Sequence, residues 1–375
     1  MGRNIPKRIY RFLGRMDVAA ILIVVVLLLA ALGSCFPQLP SSVAADPERL
    51  AQWEAGIRAK YGVLTDLLTA SGAFRCFRSP LFLVPLTLLA VATLVCTLDR
   101  WRGVWRRAFH RPVRCSDAAL DGAPHTARLT LPPPPAGGGE TPPLAGGAGG
   151  VVRESLERRG FRVRSETAGG ALYLRGDRNR LAPLATLVTH LAVLLLLLGA
   201  ALGSGYGWRE EITIGPGETV EVGHESGLAL RNDGFTIARY LDGSIAAYEA
   251  EVTVVVEGRE VRRGIVRVNE PLTYGGVGLY LRGYAGTEGR HSVTLLAVRD
   301  PGYSPAIVAG FLLLLGLTVS LNFPYRCVHA RIEPEGTLRL AGRAERRACD
   351  FGREFALLVE ELRHVAANTD EEKDR

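Results

Sequence analysis

Apolar residues gather into four runs, separated by polar stretches of very unequal length. The runs cover residues 18–36, 81–98, 181–202 and 304–322. About 20 apolar residues in a helix cross the roughly 30 Å hydrocarbon core of a bilayer, so each run predicts a transmembrane segment. The third, LAPLATLVTHLAVLLLLLGAAL, is the longest. The first has its apolar centre at Val18–Leu32, with Gly33, Cys35 and Phe36 to extend it.

The polar flanks give each run a direction. Arg3, Lys7, Arg8, Arg11 and Arg15 precede the first run within the N-terminal stretch 1–17. Arg100, Arg102, Arg106, Arg107, Arg111 and Arg114 follow the second, interleaved with Trp101 and Trp105. Positive flanks stay on the cytoplasmic side and tryptophans settle at headgroup depth. Both termini, 99–180 and 323–375 are therefore expected in the cytosol, and 37–80 and 203–303 outside. A second reading of the start is open: a basic stretch, an apolar core and Leu32-Gly33-Ser34-Cys35 have the build of a cleaved lipoprotein signal.

Spacing within the polar stretches predicts their elements. In the external loop 37–80, Trp53, Ile57, Tyr61, Leu64 and Leu68 recur at helical intervals, which predicts one amphipathic surface helix over Pro47–Leu68. Cys35 and Cys76 border that loop and could pair in an oxidising compartment or remain two thiols. In 99–180, a strand (126–131), a helix (151–159) and two strands (161–165, 171–175) turning at Gly169-Gly170 form a β–α–β–β segment. Its insert, 132–150 (PPPPAGGGETPPLAGGAGG), cannot build a core. The tail 323–375 offers two strands (328–333, 337–340) and a helix near 351–367. Neither cytosolic arm alone buries much surface, so the two are expected to pack as one α+β module. In 203–303, short strands with alternation such as Val252, Val254 and Val256, broken by glycine turns, predict an all-β, sandwich- or barrel-like domain. Two of its strands are expected at 229–232 and 235–241.

The fold class is thus an α-helical membrane protein of four spans, with an extracytoplasmic all-β domain and a small cytosolic α+β module. Composition changes this little. Of 375 residues 47% are hydrophobic, so sizeable aqueous parts accompany the spans. The net charge of +7 comes with arginines beside the apolar runs and no base-reading motif, so nucleic acid is not an expected partner. Cys35, Cys76, Cys96, Cys115, Cys327 and Cys349 form neither C-x-x-C nor C-x-x-C-H, which argues against a zinc site or covalent haem on this chain.

One position stands out chemically. His190 lies within the third run, and an ionisable side chain at such depth is a functional-site candidate. Nine residues after Leu181 correspond to about 13 Å of helix rise, in the inner half or centre of the bilayer. The bland alternative is a hydrogen bond to a neighbouring helix. Cys96, at the cytosolic end of the second run, is a weaker candidate, since cysteines are ordinary apolar core residues. Glu270 in Asn269-Glu-Pro-Leu needs no more than a turn. His224 and His291 are expected at the surface.

This order of parts resembles the ResB (CcsB) family of system II cytochrome c biogenesis. The resembling pieces are Gly33-Ser-Cys-Phe-Pro-Gln38, Leu94-Val-Cys-Thr-Leu-Asp-Arg100, Leu181 to His190, Val268-Asn-Glu-Pro-Leu-Thr-Tyr274 with Gly278-Leu-Tyr280, Phe323-Pro-Tyr-Arg326 and Leu340-Ala-Gly-Arg343. The resemblance implies a multi-pass protein of the bacterial inner (cytoplasmic) membrane. It implies a ResC/CcsA-type membrane partner, haem b as transported substrate, and apocytochrome c as the acceptor of haem through its C-x-x-C-H thiols. The chain would be one subunit of a haem lyase, not catalytic alone, with His190 a candidate axial ligand of the haem iron and Cys96 a weak second contact. A reading of another class is a non-catalytic membrane scaffold whose external domain binds and stabilises a partner protein.

Overall fold

Each apolar run becomes a long helix in the computed structural model, which describes residues 5–44, 47–130, 147–287 and 290–371. In chain order, α1 (Ile5–Leu13) precedes α2 (Met16–Ser34). Three short helices follow, α3 (Ser41–Ala44), α4 (Pro47–Tyr61) and α5 (Leu64–Ala70), then α6 (Pro80–Phe109) and α7 (Asp117–Asp121). The elements β1 (His125–Thr130), α8 (Ala148–Arg158), β2 (Arg162–Ala168) and β3 (Ala171–Arg178) lead into α9 (Ala182–Tyr206). Eight strands come next: β4 (Trp208–Ile214), β5 (Thr219–Glu221), β6 (Leu228–Arg239), β7 (Ile245–Val256), β8 (Arg259–Arg267), β9 (Leu272–Tyr274), β10 (Val277–Thr287) and β11 (Arg290–Arg299). The chain closes with α10 (Tyr303–Asn322), β12 (Arg326–Ile332), β13 (Thr337–Ala344) and α11 (Phe351–Glu371). Among the described residues, the apolar stretches of α2, α6, α9 and α10 are the four long and apolar enough to cross a membrane. Most of the insert expected at 132–150 lies outside the described residues.

The chain divides into two compact units, Met1–Leu94 with Val193–Gly310 and Val95–Ala192 with Phe311–Arg375. In the first, β4-β11-β10-β9 and β5-β6-β7-β8 form two antiparallel sheets. Alternate residues of both turn inward to one apolar core, with Ile214, Leu230, Val252, Val254, Val266, Val293 and Leu295 fully buried. The expected strands 229–232 and 235–241 are a single strand, β6. A register shift between Asn232 and Gly234 lets it bend without breaking. At that bulge buried Asn232 donates its amide to Ile214 O (3.2 Å) and His291 O (3.1 Å), tying β6 to β4 and β11 of the other sheet. Glu270 closes the expected turn: Asn269 takes φ +67° and Glu270 pairs with Arg267 at 3.0 Å.

The same unit holds the first loop. The single helix expected over Pro47–Leu68 is two, because Gly62 at φ +54° ends α4 before α5 begins. Gln38 fastens this loop: its amide donates to Gly33 O (2.8 Å) and Ala73 O (2.9 Å) and accepts from Cys76 N (3.0 Å). Cys76 does not meet Cys35. Its thiol faces Leu29 O at 3.5 Å and sits where a Cβ on Gly33 would be, 2.9 Å away.

In the second unit, β1-β13-β12-β3-β2 form one antiparallel sheet from strands on either side of α9 and α10. The turn at Gly169-Gly170 uses φ of +56° and +75°, values that glycine adopts without strain. Even-numbered positions of β3, β12 and β13 (Leu172, Leu174, Val328, Ala330, Leu338, Leu340) pack against α8 and α11. Odd-numbered positions (Arg175, Asp177, Cys327, His329, Arg331, Arg339, Arg343) point to the other face. A strap running from Arg111 to Asp121 crosses that face. Arg175 donates to Pro112 O (2.8 Å), Arg343 to Ala119 O (2.9 Å) and Arg164 to Arg111 O (3.1 Å), and Arg339 pairs with Asp121 at 2.7 Å.

The second span departs most from expectation. It does not stop at Leu98 but continues as helix to Phe109. Nothing in Asp99–Phe109 breaks it except the tolerated Gly103, and Arg106 and Arg107 favour its C-terminal end. It ends before Pro112, which disfavours helix in the residue ahead of it.

Candidate functional site

His190 stands on α9, eight residues and about 12 Å of rise from Ala182. Its Nδ1 lies 3.1 Å from Thr97 Oγ1 on α6, and the ring is half-buried. Nε2 makes no hydrogen bond among the described residues. Thr97 stands one residue before Leu98, where the apolar part of α6 gives way to Asp99 and Arg100. The ring therefore sits toward the arginine-rich border of the apolar layer, not at its centre. The adjacent turn of α9 packs closely on α10: a Cβ on Gly316 would stand 2.5 Å from Thr189 Oγ1 and 3.2 Å from Ala185 O. Small residues at such crossings bring helix backbones together.

Cys96 neighbours Thr97 in sequence and is buried, at 8% exposure. Successive helix residues point about 100° apart, so Cys96 and Thr97 face different directions. Among the described residues no group of three or more His, Cys, Asp or Glu side chains could hold a metal ion. The His190 imidazole and the Cys96 thiol are thus two separate ligating side chains on these turns of α9 and α6. His224 stacks on Trp208 with ring centroids 4.9 Å apart, and His291 packs beside Phe235 at 5.3 Å.

A buried junction joins the ends of α6, α9 and α10, and the sequence reading missed it. Asp177 precedes α9 by a few residues, Tyr325 follows α10 and Arg111 follows α6. Tyr325 OH donates to Asp177 Oδ1 at 2.6 Å, and Arg175 Nε lies 3.2 Å from both Asp177 oxygens. Arg111 NH1 is 3.4 Å from Asp177 Oδ2, with both side chains only 4% exposed. Arg111 also donates to Arg107 O (3.0 Å) and Arg180 O (2.5 Å), and Asn179 donates to Pro324 O (3.1 Å). Burial alone would raise the Asp177 carboxyl, but the Tyr325 hydroxyl and the two arginines hold it below the ordinary carboxylate range. Burial also raises the Tyr325 phenol and pushes the Cys327 thiol up to about 11, so both stay protonated at neutral pH. His329 goes the other way: burial, then the nearby Arg175 charge, lower it to about 4. The available signal was one acid among arginines in Gly176-Asp-Arg-Asn-Arg180 and a tyrosine straight after a span.

With this geometry in view, comparison with known proteins is decisive for the family. The sequence profile of the ResB-like family matches residues 16–298. The chain belongs to the ResB-like family. It is 28% identical over 296 residues to the cytochrome c biogenesis protein CcsB of Thermosynechococcus vestitus, covering 73% of this chain and 59% of that one. It is 27% identical over 235 residues to the protein of the same name in Synechococcus sp. (strain JA-2-3B'a(2-13)), covering 59% and 46%. This ResB-like chain thus spans about half the length of the curated relatives it matches. A solved cytochrome c haem lyase, CcmF, overlaps it at a TM-score of 0.34 and 16% identity, over 72% of this chain and 45% of that one.

Proposed function

We propose that this ResB-like chain is the B subunit of a system II cytochrome c synthase. With a ResC/CcsA-type partner it moves haem b across the bacterial cytoplasmic membrane and presents it to apocytochrome c. There each C-x-x-C-H thiol adds across a haem vinyl group. Membership of the family and relatives named for cytochrome c biogenesis support this reading. The arginine flanks support termini and five-stranded sheet on the cytoplasmic side and the double-sheet domain outside.

The observation that carries the haem step is the His190–Thr97 contact. Iron takes a neutral imidazole nitrogen, and ligating histidines commonly use their other ring nitrogen in an orienting hydrogen bond. With Nδ1–H donating to Thr97 Oγ1, the Nε2 lone pair is left for the iron. The partner supplies the second axial ligand. Near the arginine-rich border, His190 receives haem as it enters from the cytosol. Cys96 is kept as a weak contact only.

The test is the absorption spectrum of the chain purified with its co-expressed partner. Wild type is expected to show a haem Soret band that falls several-fold in His190→Ala and partly returns with added imidazole. Equal bands in the two proteins would remove His190 as a ligand and leave this chain a scaffold whose external domain binds a partner.

A further inference from the structure

We propose that the Trp101–Trp105–Phe109 face of α6, with Arg102 and Arg106 beside it, is a docking surface for haem before it reaches His190. The inference rests on the haem-handling reading above and adds a site to it. Thr97, Trp101, Trp105 and Phe109 follow one another at intervals of four, so each lies one turn beyond the last on a slowly drifting face. The row therefore starts at the residue that holds His190 and runs outward past the apolar border.

Its build suits a planar, aromatic dianion. Trp101 and Trp105 are stacked, with centroids 5.7 Å apart and planes 17° apart, and Phe109 lies 4.4 Å further along. All three stay about half exposed, at 47%, 48% and 52%, while Val104 and Ala108, along one edge of the row, are buried. Arg102 and Arg106 line a shallow groove with the two tryptophans. Among the described residues neither arginine forms an ion pair. Two unpaired guanidinium groups, one turn apart beside a stacking surface, complement the two propionates of haem. Anchoring in lipid accounts for Trp101 but not for the outer end. Phe109 stands eleven residues, about 16 Å, beyond Leu98, whereas the headgroup layer adds only about 6 Å to each side of the hydrocarbon.

The probe is metal-free protoporphyrin IX, which has no iron for His190 to ligate. Its affinity for the full chain in zwitterionic nanodiscs is read by porphyrin anisotropy against empty discs. Arg102→Gln/Arg106→Gln is expected to weaken binding about fivefold, and Trp101→Leu/Trp105→Leu about tenfold. The dimethyl ester of the porphyrin should bind wild type about fivefold more weakly and be indifferent to the arginine pair. His190→Ala should bind the metal-free probe as wild type does. Equal affinity in wild type and both double variants, or an ester as tight as the diacid, would overturn the docking surface. A normal ladder with no change in the haem spectrum of His190→Ala would instead remove the His190 ligand and leave the ladder standing.

Discussion

The five-stranded sheet and the double-sheet domain treat their charged faces in opposite ways. Both bury an apolar core on one side of each sheet. In the five-stranded sheet the other side is also covered, by the 111–121 strap, and the charges around Asp177 beneath it are desolvated. Asp177 and Arg111 meet at 4% exposure. In the double-sheet domain, the outward face of β6, β7 and β8 carries pairs left in contact with water. Arg263, 58% exposed, faces Glu251 at 3.0 Å and Asp233 at 3.6 Å, and Arg267 bonds Glu249 at 2.7 Å. Buried charges are costly unless paired, so a sheet that keeps them is held to one arrangement. The junction has such an arrangement, and it sits where three spanning helices end. Its residues hold α6, α9 and α10 in register against the same sheet.

The largest expected effect comes from breaking the buried side of this contrast. Asp177→Ala removes the one acid that Arg111, Arg175 and Tyr325 share. Loss of one partner of a buried pair typically costs about 3–5 kcal/mol. Loss of local protection by hydrogen exchange in β3 and β12 is expected, together with weaker haem retention if the junction sets the Thr97–His190 distance. Undiminished protection would mean that water reaches the junction and that the contrast with the double-sheet domain is false.

Acid should open the same sheet while sparing the other. His329 is held neutral in the folded protein, with a value of about 4, against about 6.5 in an unfolded chain. Between those values the unfolded chain binds the extra proton, so stability falls as pH drops through that window. The full difference is about 3 kcal/mol. Asp177, whose folded value is depressed, adds its own loss only below the ordinary carboxylate range. Exchange protection of β12, corrected for intrinsic rates, should decline from pH 6.5 to 4 in wild type and flatten in His329→Gln. The double-sheet domain should hold its protection over that range, since Asp233 too titrates below it.

Much of the architecture was legible because it follows from periodicity. Four apolar runs gave four helices, and period-two alternation gave antiparallel strands. What escaped depended on contacts between distant segments. The bulge at Asn232 looks like a strand end in the sequence, yet the amide bonds two strands of the opposite sheet. Gly62 sits inside a helical pattern and reveals its left-handed φ only in three dimensions. At the candidate site, His190 was visible as a lone imidazole among apolar residues, and its role remains the proposal tested above. Thr97 was not visible, because a threonine in a span carries no signal until its partner is known. The arginine-rich flanks hid the junction most completely. A positive flank explains Arg111 and a strand end explains Arg175, so neither stands out in the sequence, although one is buried and both face a carboxylate.

The smallest expected effect sharpens the comparison from the exposed side. Arg263→Ala removes a guanidinium from the outer lattice of the double-sheet domain, where Asp233 keeps Arg231 at 2.6 Å and a short hydrogen bond from Thr253 at 2.5 Å. Asp233 therefore stays paired, and Glu251 is already 43% exposed to water. Exposed pairs contribute little, because solvent replaces the lost partner and salt screens what remains. Exchange protection of β7 and β8 should match wild type at physiological salt and differ only when salt is lowered. A large loss at physiological salt would show that this lattice is shielded from water, as the junction is. The two faces would then differ in composition alone, and burial would no longer explain why one of them joins the helix ends.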